Sequence, residues 1–257
     1  DRFKFMKSSK LTKFKRYAKF ISLVRNSIKK EKPNLVVVYD NVPYLFFLIA
    51  TIFLKKRFKL WYHNHDIYPA SKYIKYGINW YSFYAVQKFF NRIDYFSIPS
   101  MERKKMFPMD KFKGKFFFIP NYPSQKIINA SVIKREVWNK GDELRVIYPG
   151  SPSVKNGFEE LINVISNKIN GKKVTLTIVG EPNEKYKREL NAFAKLNGVE
   201  NQLLFENRVP YTEMPKFLRN YHVGWAMYKP MDMRTETVAT ASNKIYEFLA
   251  NAMPIIV

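Results

Sequence analysis

Leu35 to Tyr39, LVVVY, is a β-branched apolar run that stops at Asp40, and the same signature returns along the chain. Such a run reads as a buried strand of a parallel sheet that delivers polar residues at its carboxyl end. Lys59 to His63, KLWYH, leads into Asn64, His65 and Asp66, and Arg92 to Pro99, RIDYFSIP, follows it. Leu144 to Tyr148, LRVIY, runs into Pro149 and Gly150, and Val174 to Val179, VTLTIV, runs into Gly180. Segments of helical period separate these runs, and the alternation restarts at Leu144. It predicts an α/β protein of two Rossmann-like halves, residues 1–140 and 141–257, each a mostly parallel sheet between helices. The polar, basic segment Ser124 to Gly141 is the expected hinge.

The chain has 257 residues, 46% of them hydrophobic and 17% aromatic, so a net charge of +24 sits on a chain able to bury a core. With no Cys, disulfides and thiolate metal sites are excluded. The basic excess fits anionic lipid headgroups, phosphorylated substrates or nucleic acid, and charge alone does not choose between them. No secretory signal pattern is present, and a cytoplasmic location is expected.

Asp1 to about Lys32 interleaves Lys and Arg with Phe14, Tyr17, Phe20, Ile21 and Val24. That is a basic amphipathic helix, which either lies on a membrane surface or covers a sheet. Val42 to Leu54, the most apolar run, is too short to span a bilayer, which needs about 20 residues, and reads as a buried crossover helix. Tyr76 to Phe90 reads as an aromatic core helix.

Three places carry candidate chemistry. His63, Asn64, His65 and Asp66 can be a metal-binding run, a structural loop or part of a ligand crevice, and further metal ligands are scarce because the one other His is His222. The loop Gly150 to Gly157 precedes a helix from Phe158, so its backbone amides and Lys155 can cradle phosphates or merely enter the helix. It is neither a Walker loop nor a G-x-G-x-x-G turn. Ser242 to Val257 reads as a cap at Ser242 or Asn243, a half-buried helix with Ile245, Phe248, Leu249 and Ala252, a stop at Pro254 and a buried strand. Glu247 can accept hydrogen bonds from a sugar diol and Lys244 can meet phosphate at the helix start, or the two can be an exposed charge pair.

SNKIYEFLANAMPIIV resembles the nucleotide-binding helix and following strand of GT-B glycosyltransferases, in particular the retaining family called GT4. WYHNHDIYP, FFFIPNYP and PGSPSVKNGFEELI extend the resemblance over roughly Asn34 to Val257. It implies a GT-B fold whose halves meet at a cleft near His65, Gly150 and Glu247. Glu247 would hold the ribose of a nucleoside diphosphate-sugar donor. Gly150, Lys155, Gly180, Arg208, Asn243 and Lys244 would bind its base and diphosphate, and His65 with Asp66 would reach the donor sugar. The first Glu of the family signature falls on Ala239, so Glu236 is its substitute; Ser151 replaces a common Arg, Asn207 a Gly, and Ala252 a Gly whose left-handed conformation would cost alanine about 1 kcal/mol. A GT-B first domain begins ahead of anything like the first 32 residues and the second continues past Val257, so both halves are expected to be incomplete.

The resemblance implies sugar transfer with retention to a glycan or lipid-linked acceptor, in bacterial-type surface polysaccharide synthesis on the inner face of the cell membrane. It implies no cofactor and no metal. A nucleotide-sugar epimerase or a catalytically lapsed relative keeps the same fold. A basic nucleic-acid-binding protein is the rival of another class, opposed by aromatics that sit inside apolar runs and by the lack of any nucleic-acid motif.

Overall fold

The computed structural model describes residues 10–66, 68–126, 143–166, 172–231, 233–237 and 241–257. The chain divides into two compact units, Asp1–Pro120 and Asn121–Val257. From residue 127 to 141 the expected hinge lies outside the described residues, as does Ala239.

In the first unit the strands β1 (Leu35–Tyr39), β2 (Lys59–His63), β3 (Tyr95–Ile98) and β4 (Lys115–Phe118) form one sheet in the order β1-β2-β3-β4. All three pairings are parallel. The helices are α1 (Lys10–Glu31), α2 (Asn41–Thr51) and α3 (Ile78–Phe89). Tyr44, Phe47, Leu60, Tyr62, Val86, Phe90, Phe96 and Ile98 make the core beneath them.

Basic α1 is a covering helix along part of its length. Tyr17 and Phe20 pack on Phe46 of α2 at ring separations of 4.8 and 6.0 Å, and Val24 and Ile28 reach the core, while Phe14 stays exposed. One expectation needs correction and another holds in part. β1 is not buried on both faces: Val38 is buried but Leu35, Val37 and Tyr39 are exposed, because β1 is an edge strand with one face covered. α3 is an aromatic core helix in part: Phe83 and Phe89 pack against the core beside buried Ser82, Ala85 and Val86, and Phe90 just after it is fully buried, while Tyr81 and Tyr84 are exposed. Small residues let it approach the neighbouring helix, and the outer rings cluster with one another, Trp80 on Tyr84 at 4.4 Å.

The second unit repeats the plan with β5 (Leu144–Pro149), β6 (Val174–Val179), β7 (Leu203–Glu206), β8 (Val223–Trp225) and β9 (Ile255–Ile256), all parallel in the order β7-β6-β5-β8-β9. Its helices are α4 (Phe158–Ser166), α5 (Glu184–Leu196), α6 (Met214–Leu218), α7 (Met233–Glu236) and α8 (Asn243–Ala250). One core lies under α4 and α5, with Phe158, Ile162, Leu176 and Ile178, and a second under α6 and α8, with Ile147, Leu218 and Phe248. β6 is buried at every position, as a strand with both faces covered must be. β9 lies at the edge, which leaves Ile256 exposed where a buried strand was expected.

The end of α8 fulfils the expectation made for Ala252. Its φ is 50°, and the turn closes with Ala252 N–H donating to Leu249 O at 3.0 Å and Met253 N–H to Phe248 O at 2.9 Å. This is the Schellman arrangement, which favours Gly at that position. Ala252→Gly is therefore expected to stabilise the protein by about 1 kcal/mol, read as an upward shift in thermal midpoint. An unchanged or lowered midpoint refutes it.

Candidate functional site

In the second unit, two glycine turns lie side by side at the carboxyl ends of β5 and β6. Gly150 has φ 138° and Gly180 φ 149°, a region L side chains rarely adopt. Gly150 N–H donates to Val179 O at 2.8 Å, and a Cβ on Gly180 would stand 2.7 Å from Gly150 O. Side chains are thus disfavoured at both turns, which leaves bare backbone there.

The chain after Gly150 is fixed from within. Ser153 and Asn156 form a reciprocal capping pair, with Ser153 N–H donating to Asn156 Oδ1 at 3.0 Å, and Trp225 Nε1 donates to Asn156 O at 2.6 Å. Lys155, half-buried in this turn, accepts Lys229 N–H on its carbonyl at 2.7 Å. The start of α4 carries its own acids: Glu159 accepts from Tyr186 Oη at 2.9 Å, and Glu160 pairs with Lys229 at 2.7 Å. That helix start is already matched to negative charge.

The start of α8 carries no acid in its first turn. Ser242 stands at the cap position, but its side chain does not cap the helix; its hydroxyl lies 3.2 Å from that of Tyr228. Lys244 extends between two aromatic rings, its Nζ 3.7 Å from the centre of Tyr148 and 5.1 Å from that of Tyr228. A Cβ on Gly150 would stand 3.6 Å from the same Nζ. Burial pushes the Lys244 pKa down to about 7, with the nearby Glu247 carboxylate opposing the shift. Burial likewise pushes Glu247 up, and Lys244 opposes it. The lysine and the carboxylate therefore share one desolvated place, three residues apart on a helix face. An arriving anion would favour the charged lysine there.

Of the residues expected from sequence, the structure gathers Gly150, Gly180, Lys244 and Glu247. Arg208 is exposed after β7, Asn243 is exposed at the first position of α8, and Glu236 is exposed at the end of α7 between buried Thr235 and Thr237. Tyr148 and Tyr228 are additions. Tyr148 could have been noticed as the residue just before Pro149-Gly150, whereas Tyr228 has no sequence signal.

In the first unit His65 and Asp66 follow β2, both exposed, and the loop is held from two sides. Asp40, which ends β1 with φ 61°, accepts His65 N–H at 2.8 Å. Arg103, a buried residue, donates from Nη1 to His65 O and pairs with Asp66 at 3.5 Å. Nothing in the run Glu102 to Lys105 marked Arg103 as special. Its helix, with Ser100 ahead of it, is 3-10 and spans Met101–Met106.

His63 is the buried partner of this cluster. Its Nδ1 lies 2.6 Å from Ser97 Oγ, which also accepts Trp61 Nε1–H at 2.8 Å, so the serine hydroxyl is free to donate to a neutral imidazole. Burial and the neighbouring His65 lower the His63 pKa, in keeping with that neutral form. Among the described residues no group of three or more His, Asp or Glu is placed to hold a metal ion.

No protein-family model and no curated protein sequence matches the chain. Solved structures do. The lipopolysaccharide outer core galactosyltransferase WaaB, in its apo form, aligns with a TM-score of 0.60 at 13% identity, over 95% of this chain and 61% of its own. Anabaena HepE in complex with UDP and glucose aligns at 0.63 and 16% identity, over 93% and 61%. The fold is GT-B. A Listeria monocytogenes chain provisionally described as a UDP-N-acetylglucosamine 2-epimerase also aligns, at 0.52 and 14% identity over 86% and 59%. The chain thus spans 61% of the length of WaaB and of HepE.

Proposed function

We propose that this GT-B chain takes part in transferring a sugar from a nucleoside diphosphate donor to a glycan or lipid-linked acceptor, with retention, in surface polysaccharide synthesis. The observation that carries this reading is the Lys244 ammonium held between two tyrosine rings beside Gly150, on the helix that also presents Glu247. A desolvated cation at a helix start matches a diphosphate, and a half-buried carboxylate on the same helix matches a ribose diol. Electrostatic stabilisation of the departing diphosphate by Lys244, Lys155 and the start of α8 would do the work that a divalent ion does elsewhere. His65 and Asp66 are the first unit's candidates for contacting the sugar. The net charge of +24 supports work at the anionic inner face of a cell membrane. Among the described residues no helix is long and apolar enough to cross a membrane.

Thermal stabilisation by UDP, GDP and short oligonucleotides, measured side by side, tests the reading. A nucleoside diphosphate at a hundredfold excess over Kd should add about 2.7 kcal/mol. Stabilisation by oligonucleotides with none by either nucleotide overturns it in favour of nucleic-acid binding. The epimerase reading, which the Listeria likeness supports, separates by product: an altered sugar with no acceptor needed, in place of acceptor-dependent transfer.

A further inference from the structure

We propose that the amino-terminal edge of the first unit's sheet is the surface that docks on an anionic membrane; this rests on the membrane part of the reading above. The strands are parallel, so this edge lies opposite the one that carries His63 and Asn64. Two observations meet there. The first is a cavity of about 310 Å3 at the starts of β2, β3 and β4, lined by Lys56, Lys59, Arg92, Lys113 and Lys115 with Asp94 as its one carboxylate. Asp94 is already engaged, accepting from Lys56 at 2.6 Å, from Leu60 N–H at 2.8 Å and from Lys59 at 3.3 Å. Five cations against one committed carboxylate leave a strongly positive concavity, suited to phosphate-bearing headgroups.

The second observation is apolar and stands beside it. α2 begins at the carboxyl end of β1 and returns along the sheet, so its last turn arrives at this same edge. There Ile52 is 63% and Phe53 83% exposed, four and three residues ahead of the anchored Lys56. Lys55 and Arg57 flank Lys56 and are exposed too. A large aromatic and a β-branched residue held out in water, next to a basic cavity, is the arrangement of an interfacial anchor: side chains enter the headgroup region while cations meet phosphate. Basic α1, whose pattern fits either a membrane surface or a covering helix, spends Tyr17, Phe20, Val24 and Ile28 on the protein itself.

Co-sedimentation of the full chain with phosphatidylcholine vesicles, with and without phosphatidylglycerol, is the test. Wild type should pellet with the acidic vesicles, lose binding steeply as sodium chloride rises, and stay in the supernatant with neutral vesicles. Lys113→Glu with Lys115→Glu, and separately Ile52→Ser with Phe53→Ser, should each lower partitioning at least about tenfold, whereas Phe14→Ser on α1 should change it less than about twofold. All these positions are exposed, so thermal midpoints and any stabilisation by UDP or GDP should be unchanged. Full binding by both double variants, with loss in Phe14→Ser, overturns the proposal and moves the contact to α1. Wild type that ignores acidic vesicles overturns the membrane reading as well, and leaves nucleotide binding untouched. Release by inorganic phosphate at an ionic strength where chloride does not release identifies a free-phosphate cavity and also overturns it.

Discussion

Glu247→Gln is expected to lower affinity for the donor nucleotide at least about tenfold while leaving the melting temperature of the unliganded protein nearly unchanged. The substitution keeps the shape of the side chain and removes its charge. Hydrogen bonds that a carboxylate accepts are worth about 1.5 to 3 kcal/mol each, and 1.4 kcal/mol is a factor of ten, so one lost ribose bond meets the expectation and two exceed it. The free protein has little to lose. Glu247 is half-buried on α8, and burial already disfavours its charge. Its backbone carbonyl, which accepts Asn251 N–H at 3.1 Å and Asn251 Nδ2 at 2.8 Å, is untouched by the change. The opposite result, intact nucleotide affinity with a collapsed melting temperature, would make Glu247 a structural residue.

What could be read from the sequence is what period and punctuation encode. The β-branched runs gave two parallel sheets, because a strand covered on both faces needs an unbroken apolar stretch. Pro149-Gly150 and Val179-Gly180 marked turns that the structure places side by side, and the family resemblance pointed to Ala252 as an alanine in a left-handed position. Reading failed where packing decides. Tyr81 and Tyr84 of α3 face outward while Ser82, Ala85 and Val86 fill the narrow space beneath it beside Phe83 and Phe89, and period alone cannot rank a small residue above an aromatic one. Arg103 was hidden in a run of surface-type charges, and it is burial against the His65 loop that singles it out. Tyr228 meets Lys244 from a different segment of chain, a proximity that only the fold creates.

The same lysine sets a pH dependence that the nucleotide should reveal. Burial between Tyr148 and Tyr228 brings the Lys244 pKa from 10.5 down to about 7 in the folded, empty protein. Between those values the unfolded chain binds the proton and the folded one does not, so the contribution of Lys244 to stability rises with pH through that window and is smallest below about pH 7. Binding has the reverse sign. A diphosphate favours the ammonium form, so above pH 7 the complex must take up a proton, and affinity falls by up to about tenfold per pH unit until the pKa of the liganded state is passed. Glu247 supplies a carboxylate that favours the ammonium, and burial pushes the Tyr148 hydroxyl further up from its already basic range. The ligand's own phosphate, with a second pKa of about 6, is mostly ionised at about pH 7 and nearly fully by about pH 8, so its titration is small across the window. Titration calorimetry with UDP or GDP from about pH 7 to 9 should therefore show weakening affinity, with proton uptake detected as a dependence on buffer ionisation enthalpy. Lys244→Met should bind weakly at every pH with that slope removed. A wild-type affinity that stays level across the range, or a slope that survives in Lys244→Met, would mean that Lys244 does not meet the diphosphate.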